Sequence, residues 1–116
     1  MKLGYLKKNE RIKKSCDIKK IFENDNKICV WGAKIFFARN GRSVSRIACT
    51  FSRNFGNAVK RNRSKRFCRE VFRFFKSRLY EGFDIVFFIY PIKKDSFILR
   101  YGQFEKLCEL ANLLKH

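Results

Sequence analysis

The stretch from Arg53 to Arg78 contains the residues with the clearest potential for chemistry, and that chemistry is the binding of anions. It carries ten basic residues against a single acid, Glu70. The basic residues are Arg53, Lys60, Arg61, Arg63, Lys65, Arg66, Arg69, Arg73, Lys76 and Arg78. Most are arginines, whose planar guanidinium matches pairs of phosphate oxygens and stacks on bases. This composition indicates a surface that follows a phosphate backbone, where each neutralised phosphate releases counterions.

The spacing within this stretch predicts one long helix from Asn57 to Tyr80, between Gly56 and Gly82. At about 100° per residue, one set of polar side chains falls within about 140°. This set is Arg61, Asn62, Lys65, Arg66, Arg69, Arg73 and Lys76. The opposite side, which we expect to pack against the core, carries Phe67, Val71, Phe74 and Phe75. Because like charges four residues apart destabilise a helix, the polar face indicates a bound polyanion.

The run from Phe55 to Ala58, just before this helix, has two interpretations. Gly56 permits a close approach of the backbone to another molecule. The helix N-terminus that follows offers free N–H groups to an anion. An ordinary turn from a strand into a helix explains the same residues, so the run leaves both interpretations open.

The whole chain has the charge of a polyanion-binding protein. Its 116 residues include 28 Lys and Arg against 10 Asp and Glu, a formal net charge of +18 with a pI near 10.2. Such self-repulsion destabilises a compact state, and a nucleic acid is the partner that most commonly offsets it. Hydrophobic residues make up 46% of the chain. We therefore expect a single packed domain over residues 1–116 that binds nucleic acid.

Other residue types exclude several classes of protein. The cysteines are Cys16, Cys29, Cys49, Cys68 and Cys108. They form no Cys-x-x-Cys pair, and His116 is the single histidine, so we expect reduced thiols of a cytoplasmic protein rather than a zinc site. No paired-carboxylate or histidine-based motif is present, so we expect no catalytic or metal-binding residue in the chain. The apolar stretch from Phe83 to Tyr90 is far shorter than the roughly 20 residues of a transmembrane helix, and we expect no export signal either.

The remaining pattern predicts an α/β (α+β) two-layer sandwich. A short helix is predicted from Ser15 to about Asn24–Asp25–Asn26, because Ile18, Ile21 and Phe22 recur at helical spacing. The further predicted elements are strands at Ile28–Val30, Lys34–Ala38, Ser43–Phe51 and Phe83–Tyr90 and a last helix at Gln103–Leu114. The dipeptide Asn40–Gly41 predicts a hairpin turn, so we expect the first three strands to form a meander. The long basic helix would then be the crossover of a βαβ unit.

One run in the basic helix resembles a known family. Gly56-Asn-Ala-Val-Lys-Arg-Asn-Arg-Ser-Lys-Arg-Phe-Cys-Arg-Glu-Val-Phe72 is similar to the RNR signature of the bacterial ribonuclease P protein family. The run Arg11-Ile-Lys-Lys-Ser-Cys-Asp-Ile-Lys-Lys-Ile-Phe22 resembles the N-terminal segment of the same family. The resemblance implies a four-stranded sheet, three helices and a left-handed crossover around the long helix, which is rare in other proteins.

The resemblance also implies a function. The protein would be the accessory subunit of a ribonucleoprotein endonuclease that removes the 5′ leader of precursor tRNA, with the chemistry performed by the RNA subunit and its Mg²⁺ ions. Its partners would be that RNA subunit and precursor tRNA, in a 1:1 ribonucleoprotein without a membrane. The sequence leaves open whether this ribonucleoprotein dimerises. It also leaves three rival functions open: a ribosomal or other structural RNA-binding protein, a peripheral membrane protein and a stand-alone nuclease.

Site residues carried over from the family fall into two sets. A cleft for the single-stranded leader would be formed by Ile18, Phe22, Phe36, Arg53, Asn62, Lys65 and Arg69. The RNA subunit would contact Gly56, Asn57, Lys60, Arg61, Arg63 and Arg66. The chain departs from the family at Ile18, where Phe is usual, and at Asn54, where Lys is usual, so one stacking surface and one phosphate contact are missing. Core packing remains an alternative role for Phe22 and Phe36.

Overall fold

The computed structural model describes residues 10–24 and 26–115. In these residues the element order is α1 (Ser15–Phe22), β1 (Lys27–Val30), β2 (Ala33–Arg39), β3 (Arg46–Phe51), α2 (Ala58–Phe75), β4 (Phe83–Ile89) and α3 (Phe97–Leu110). The strands form one sheet in the spatial order β1-β2-β4-β3. The prediction of an α+β fold with four strands and three helices is confirmed. Asp25, at the predicted end of the first helix, and His116 lie outside the described residues.

The predicted meander is wrong beyond its first hairpin. β1 and β2 pair as expected, but β2 next pairs antiparallel with β4, from Ala33 opposite Ile89 to Arg39 opposite Phe83. β3 pairs with the far side of β4 in parallel, so α2 is the crossover of a βαβ unit. β4 takes the central position because it is apolar on both faces, and a strand of that kind is stable only between two neighbours. The handedness of the crossover stays a prediction.

One face of the sheet and the two longer helices enclose the main core. Ile35, Ile85, Phe87 and Ile89 of the sheet are fully buried against these helices. The buried residues of α2 are Ser64, Cys68, Val71, Phe72 and Phe75. The prediction that Phe67 and Phe74 pack inside is wrong, since Phe67 is partly buried and Phe74 is exposed. The small side chains of Ser64 and Cys68 turn the packing face toward the sheet and leave the two phenylalanines on a flank.

The ends of the elements differ from the prediction where capping chemistry was overlooked. α2 begins after Asn57, whose side chain accepts a hydrogen bond from the Lys60 N–H at 3.0 Å, and it ends at Phe75 instead of Tyr80. α3 begins six residues earlier than Gln103, because the Ser96 hydroxyl accepts a hydrogen bond from the Leu99 N–H at 3.2 Å. Among the described residues, no helix combines the length and apolar character needed to cross a bilayer.

A buried arginine joins α3 to the far end of the sheet. The Arg100 side chain is fully buried, and its guanidinium donates to both carboxylate oxygens of Asp95, at 2.8 and 3.0 Å. It also donates to the carbonyl oxygens of Gly32 and Tyr90, at 3.2 and 2.9 Å. The Ser64 hydroxyl donates to the same Asp95 carboxylate. This network fixes the β1–β2 turn, the end of β4 and α2 relative to one another, because a buried charge is stable only when its donors are satisfied.

Candidate nucleic-acid interface

The sheet face opposite α2 and α3 carries α1 and the segment before it. Ile12, Ile21 and Val86 form a small buried cluster there. The Ile12 N–H donates to the Ile47 carbonyl at 3.0 Å, and Arg11 forms a parallel bridge with Ile47. The segment before α1 therefore lies beside β3, one of the two edge strands of the sheet.

An ion-pair cluster holds α1 in this position. Arg46 donates from Nε and Nη2 to the two carboxylate oxygens of Asp84, at 2.8 and 2.6 Å, and its Nη1 lies 3.7 Å from Asp17 of α1. The Asn40 side-chain amide donates to Asp84 as well, at 2.9 Å. Burial favours a higher pKa for Asp84, but the hydrogen bonds from Arg46 and Asn40 outweigh it and lower the pKa. Asp84 is thus a charged anchor that holds Arg46 in place beside Asp17 of α1.

A cleft of about 300 Å³ separates the α1 segment from α2. We name it the α1–α2 cleft; its walls include Ile18, Ala48, Cys49, Lys65, Arg69 and Phe72. Three residues of the predicted leader set, Ile18, Lys65 and Arg69, meet here. The cleft combines apolar surface from Ile18, Ala48 and Phe72 with cations on both sides, since Arg11 and Lys13 of the α1 segment line it opposite Lys65 and Arg69. It therefore suits a ligand with apolar faces and an anionic backbone.

A second cavity of about 280 Å³ continues from the first along α2. Lys65 lines both cavities, and the second also contains Asn62, Phe51 and Arg61. The structure therefore brings Asn62 to the same surface as Lys65 and Arg69. It also places Arg61, which was predicted to contact the RNA subunit, beside the predicted leader residues.

Phe22 and Phe36 lie apart from these cavities, in an aromatic patch on the open sheet face. Their rings meet edge to face with centroids 4.7 Å apart, and Phe22 retains 37% of its exposure while Phe36 is partly buried. The patch, as we use the term, comprises Phe22, Phe36, Phe88, Tyr90 and Lys34. The two rings pack on each other and leave aromatic surface accessible, and their role in leader binding stays a prediction.

Three members of the aromatic patch were missed by sequence reasoning. The Lys34 ammonium lies over the rings of Phe88 and Tyr90, at 4.8 and 5.5 Å from their centroids. These residues share a face because Lys34 is paired with Phe88 across β2 and β4. Alternation in the run from Phe83 to Tyr90 could have identified them, since every second residue points away from the main core.

The second predicted set lies mainly on the exposed side of α2. Gly56, Asn57, Lys60, Arg61, Arg63 and Arg66 are all exposed. The Asn57 side chain is engaged in capping the helix, and Gly56 has a φ of +143°, a conformation that favours glycine. Both residues therefore have a structural role at the start of α2, independent of any contact with RNA. Arg53 is exposed in the loop before the helix and lines neither cavity.

The other flank of α2 also carries arginines. A groove of about 690 Å³ there is lined by Arg63, Arg66, Phe67, Arg69, Arg73 and Phe97. Glu70, the one acid of the helix, is paired with Arg73 at 2.6 Å. The Arg63 guanidinium lies 5.5 Å from the Phe67 ring centroid. α2 thus presents cations toward both flanks, which matches a helix placed between two anionic surfaces.

The comparison with known proteins decides the family. The model of the family described as Ribonuclease P matches residues 6–112. The chain belongs to the ribonuclease P protein family. A ribonuclease P protein component of Thermotoga petrophila is 36% identical over 109 residues, 93% of this chain and 92% of that protein. The RNase P protein of Staphylococcus aureus matches 91% of this chain and 98% of its own with a TM-score of 0.81 and 26% identity. The RNase P protein of Thermotoga maritima matches 84% of this chain and 94% of its own, with a TM-score of 0.73 and 30% identity.

Ribonuclease P proteins are the protein subunits of an endoribonuclease complex involved in maturing the 5′ ends of tRNAs. This family membership implies a partnership with the ribonuclease P RNA and its tRNA substrate. The carboxylates near the α1–α2 cleft, Asp17 and Asp84, are paired with Arg46. No group of three potential metal ligands occurs within the described ranges 10–24 and 26–115. Because Arg46 already occupies these two carboxylates, they do not fit a Mg²⁺ site of their own.

Proposed function

We propose that this protein binds the 5′ leader of precursor tRNA on the open side of its sheet while the exposed side of α2 binds the RNA subunit of ribonuclease P. The observation that carries the proposal is the α1–α2 cleft, where Ile18 faces Lys65 and Arg69 across the edge strand. A single-stranded RNA needs apolar surface for its bases beside cations for its phosphates. The cleft supplies both within one concave surface.

The aromatic patch extends this surface to the next nucleotides. Phe22 and Tyr90 keep 37% and 38% of their exposure, enough for a base to stack on either ring. Lys34 lies between them over the face of Phe88 and offers a cation to a phosphate. Stacking of a base on an aromatic side chain is worth about 1–3 kcal/mol and tolerates any base. We therefore expect leader binding with weak sequence preference.

The proposed role in catalysis is discrimination. Binding of the leader strengthens the complex with the precursor and leaves the complex with mature tRNA unchanged, since the mature product lacks the leader. The cations of α2 offset the repulsion between two RNAs, which lowers the Mg²⁺ concentration needed by the RNA subunit. We place the reaction itself and its Mg²⁺ ions in the RNA subunit, and we propose a 1:1 ribonucleoprotein in the cytoplasm.

A first experiment tests the leader surface. Arg69→Ala and Lys65→Ala should each weaken binding of precursor tRNA to the reconstituted ribonucleoprotein about tenfold, the value of about one charge-assisted contact. Binding of mature tRNA should stay within about twofold, a difference below 0.5 kcal/mol. The matched control is Lys106→Ala, an exposed lysine of α3 on the opposite side of the sheet. Equal losses for precursor and mature tRNA would contradict a leader cleft.

A second experiment tests the partnership. A bacterial ribonuclease P RNA should cleave precursor tRNA at low Mg²⁺ only when the purified protein is added, and the protein alone should not cleave. Tight RNA binding without rescue of cleavage would favour a structural RNA-binding role. Cleavage by the protein alone would place the catalyst in this chain.

A further inference from the structure

Two cysteines from different elements meet at the base of the α1–α2 cleft. Cys49 is in β3 and Cys68 is in α2, and their sulfur atoms lie 3.1 Å apart, with the Cys49 thiol donating to the Cys68 sulfur. Both thiols are free. A disulfide has its sulfurs about 2.05 Å apart. The two side chains therefore point at each other across the β3–α2 contact, and about 1 Å separates them from a covalent bond.

The two thiols differ in their exposure to solvent. Cys49 lines the cleft together with Lys65 and Arg69, whereas Cys68 is fully buried behind it. Burial, together with the hydrogen bond from Cys49, raises the pKa of the Cys68 thiol well above its usual value. A reagent in solvent can reach Cys49 through the cleft, and Cys68 can then react only with what has formed on Cys49. The cations of the cleft favour reagents with negative charge.

We infer that Cys49 and Cys68 form an oxidation site, at which an anionic small-molecule disulfide such as oxidised glutathione links β3 to α2 by a reversible disulfide. The Cys49 thiol loses its proton, its sulfur attacks one sulfur of the reagent, and one thiol of the reagent leaves. The Cys68 thiol then loses its proton and attacks the Cys49 sulfur, and the second thiol leaves. The two protein thiols lose two electrons and two protons, and the reagent is reduced to two thiols.

This link changes the surface that the leader would use, and that consequence rests on the proposed function. Lys65 is one turn before Cys68 in α2, and Arg69 follows it directly. Closing the sulfur–sulfur distance by about 1 Å draws this part of α2 toward β3 and narrows the cleft. The oxidised protein should therefore bind precursor tRNA more weakly, by about fivefold, roughly half to one charge-assisted contact.

The first test uses the full-length protein without RNA. The variant Cys16→Ser/Cys29→Ser removes the two exposed cysteines, which could otherwise link two molecules. After equilibration with oxidised glutathione, mass spectrometry of alkylated peptides should show a Cys49–Cys68 link that dithiothreitol reverses. The same protein with Cys49→Ser should keep Cys68 fully alkylatable after unfolding. Recovery of both cysteines as free thiols, or a lasting glutathione adduct on Cys49, would overturn the inference.

The second test adds the RNA partners, so that failure of the oxidation site and failure of the leader proposal are separable. Precursor tRNA bound to the ribonucleoprotein should slow alkylation of Cys49, and mature tRNA should not. Oxidation should weaken precursor binding by the protein with both cysteines, while Cys49→Ser, which can form neither the adduct nor the link, should have the same affinity with and without the oxidant. Suppose instead that the link forms in the first test while precursor tRNA neither slows alkylation of Cys49 nor binds more weakly to the oxidised protein. That result would retain the oxidation site and refute the leader cleft above it.

Discussion

Asp84 and Glu81 each form an ion pair with a nitrogen–oxygen distance of 2.6 Å, but only the pair of Asp84 is buried. The side chains of Arg46 and Asp84 keep 12% and 10% of their exposure, against 40% and 59% for Lys115 and Glu81. Breaking a buried pair from one side costs about 3–5 kcal/mol, because the remaining charge is left in a poorly hydrated site. In the variant Asp84→Asn, Asp17 still lies 3.7 Å from Arg46 and offsets part of its charge. We therefore expect this substitution to lower the free energy of unfolding by about 2–3 kcal/mol, less than the full cost of a broken pair.

Urea denaturation at neutral pH measures this loss. With a slope of about 1–3 kcal/mol per molar urea, the midpoint of Asp84→Asn should fall by about 1–2 M. Glu81→Gln, the control in an exposed pair of the same length, should leave the midpoint close to that of the unchanged protein. Equal shifts for the two variants would refute the argument that burial, rather than distance, makes the Arg46 pair important.

The same pair gives a pH dependence. The folded-state pKa of Asp84 lies below its unfolded value, so its contribution to stability is complete above about pH 4 and is lost as the pH falls through the folded pKa. The stability difference between the unchanged protein and Asp84→Asn should therefore be constant from about pH 5 to pH 7 and shrink below about pH 4. A difference that grows on acidification would contradict the lowered pKa.

Two further substitutions test local features by thermal or urea unfolding. Thr50 carries a buried hydroxyl that has no hydrogen-bond partner within the described part of the chain. Thr50→Val should therefore raise the unfolding free energy by about 1 kcal/mol, and a loss of stability would show that the hydroxyl has a partner. Gly32→Ala should cost about 3 kcal/mol, since its φ is +80° and an added Cβ would lie 2.6 Å from the Gln103 Nε2 atom, which is held by its hydrogen bond to the Trp31 carbonyl. Gly41→Ala, with a φ of +68° and open space around it, should cost only about 1 kcal/mol, and equal costs would exclude the clash.

The strand pairing shows where sequence reasoning stops. Asn40–Gly41 lies in a bend of the chain, where the Asn40 side chain accepts from the Arg42 N–H at 2.8 Å and Gly41 has a positive φ, but the strands on its two sides do not pair as the predicted hairpin. Turn chemistry depends on neighbouring residues and could be predicted. The partner of the strand that follows depends on β4, which is more than 30 residues further along the chain. The doubly apolar character of Phe83–Ile89 was the available signal that this strand belongs in the middle.

The candidate site was predictable to a similar degree. Helical spacing placed Asn62, Lys65 and Arg69 on one exposed face, and the structure brings them to adjoining cavities. The buried side of α2 could not be deduced from hydrophobicity, because Ser64 and Cys68 are inside while Phe74 is outside. Arg100 was beyond prediction for the same reason: a buried guanidinium depends on acceptors supplied by distant segments, which local pattern does not reveal.

The central position of β4 has a consequence for how this chain acquires its structure during synthesis. The chain emerges N-terminus first, so β2, β3 and the basic helix leave the ribosome before the strand that joins them. Until residues 83–89 arrive, β2 and β3 each present an unsatisfied edge, and the apolar side of α2 has no complete sheet to cover. A nascent chain that ends before residue 83 therefore cannot complete either hydrophobic cluster of the described residues, since both include residues of β4. The RNA-binding surface and the fold that carries it should form together, in one late cooperative step, once the middle of the sheet is in place.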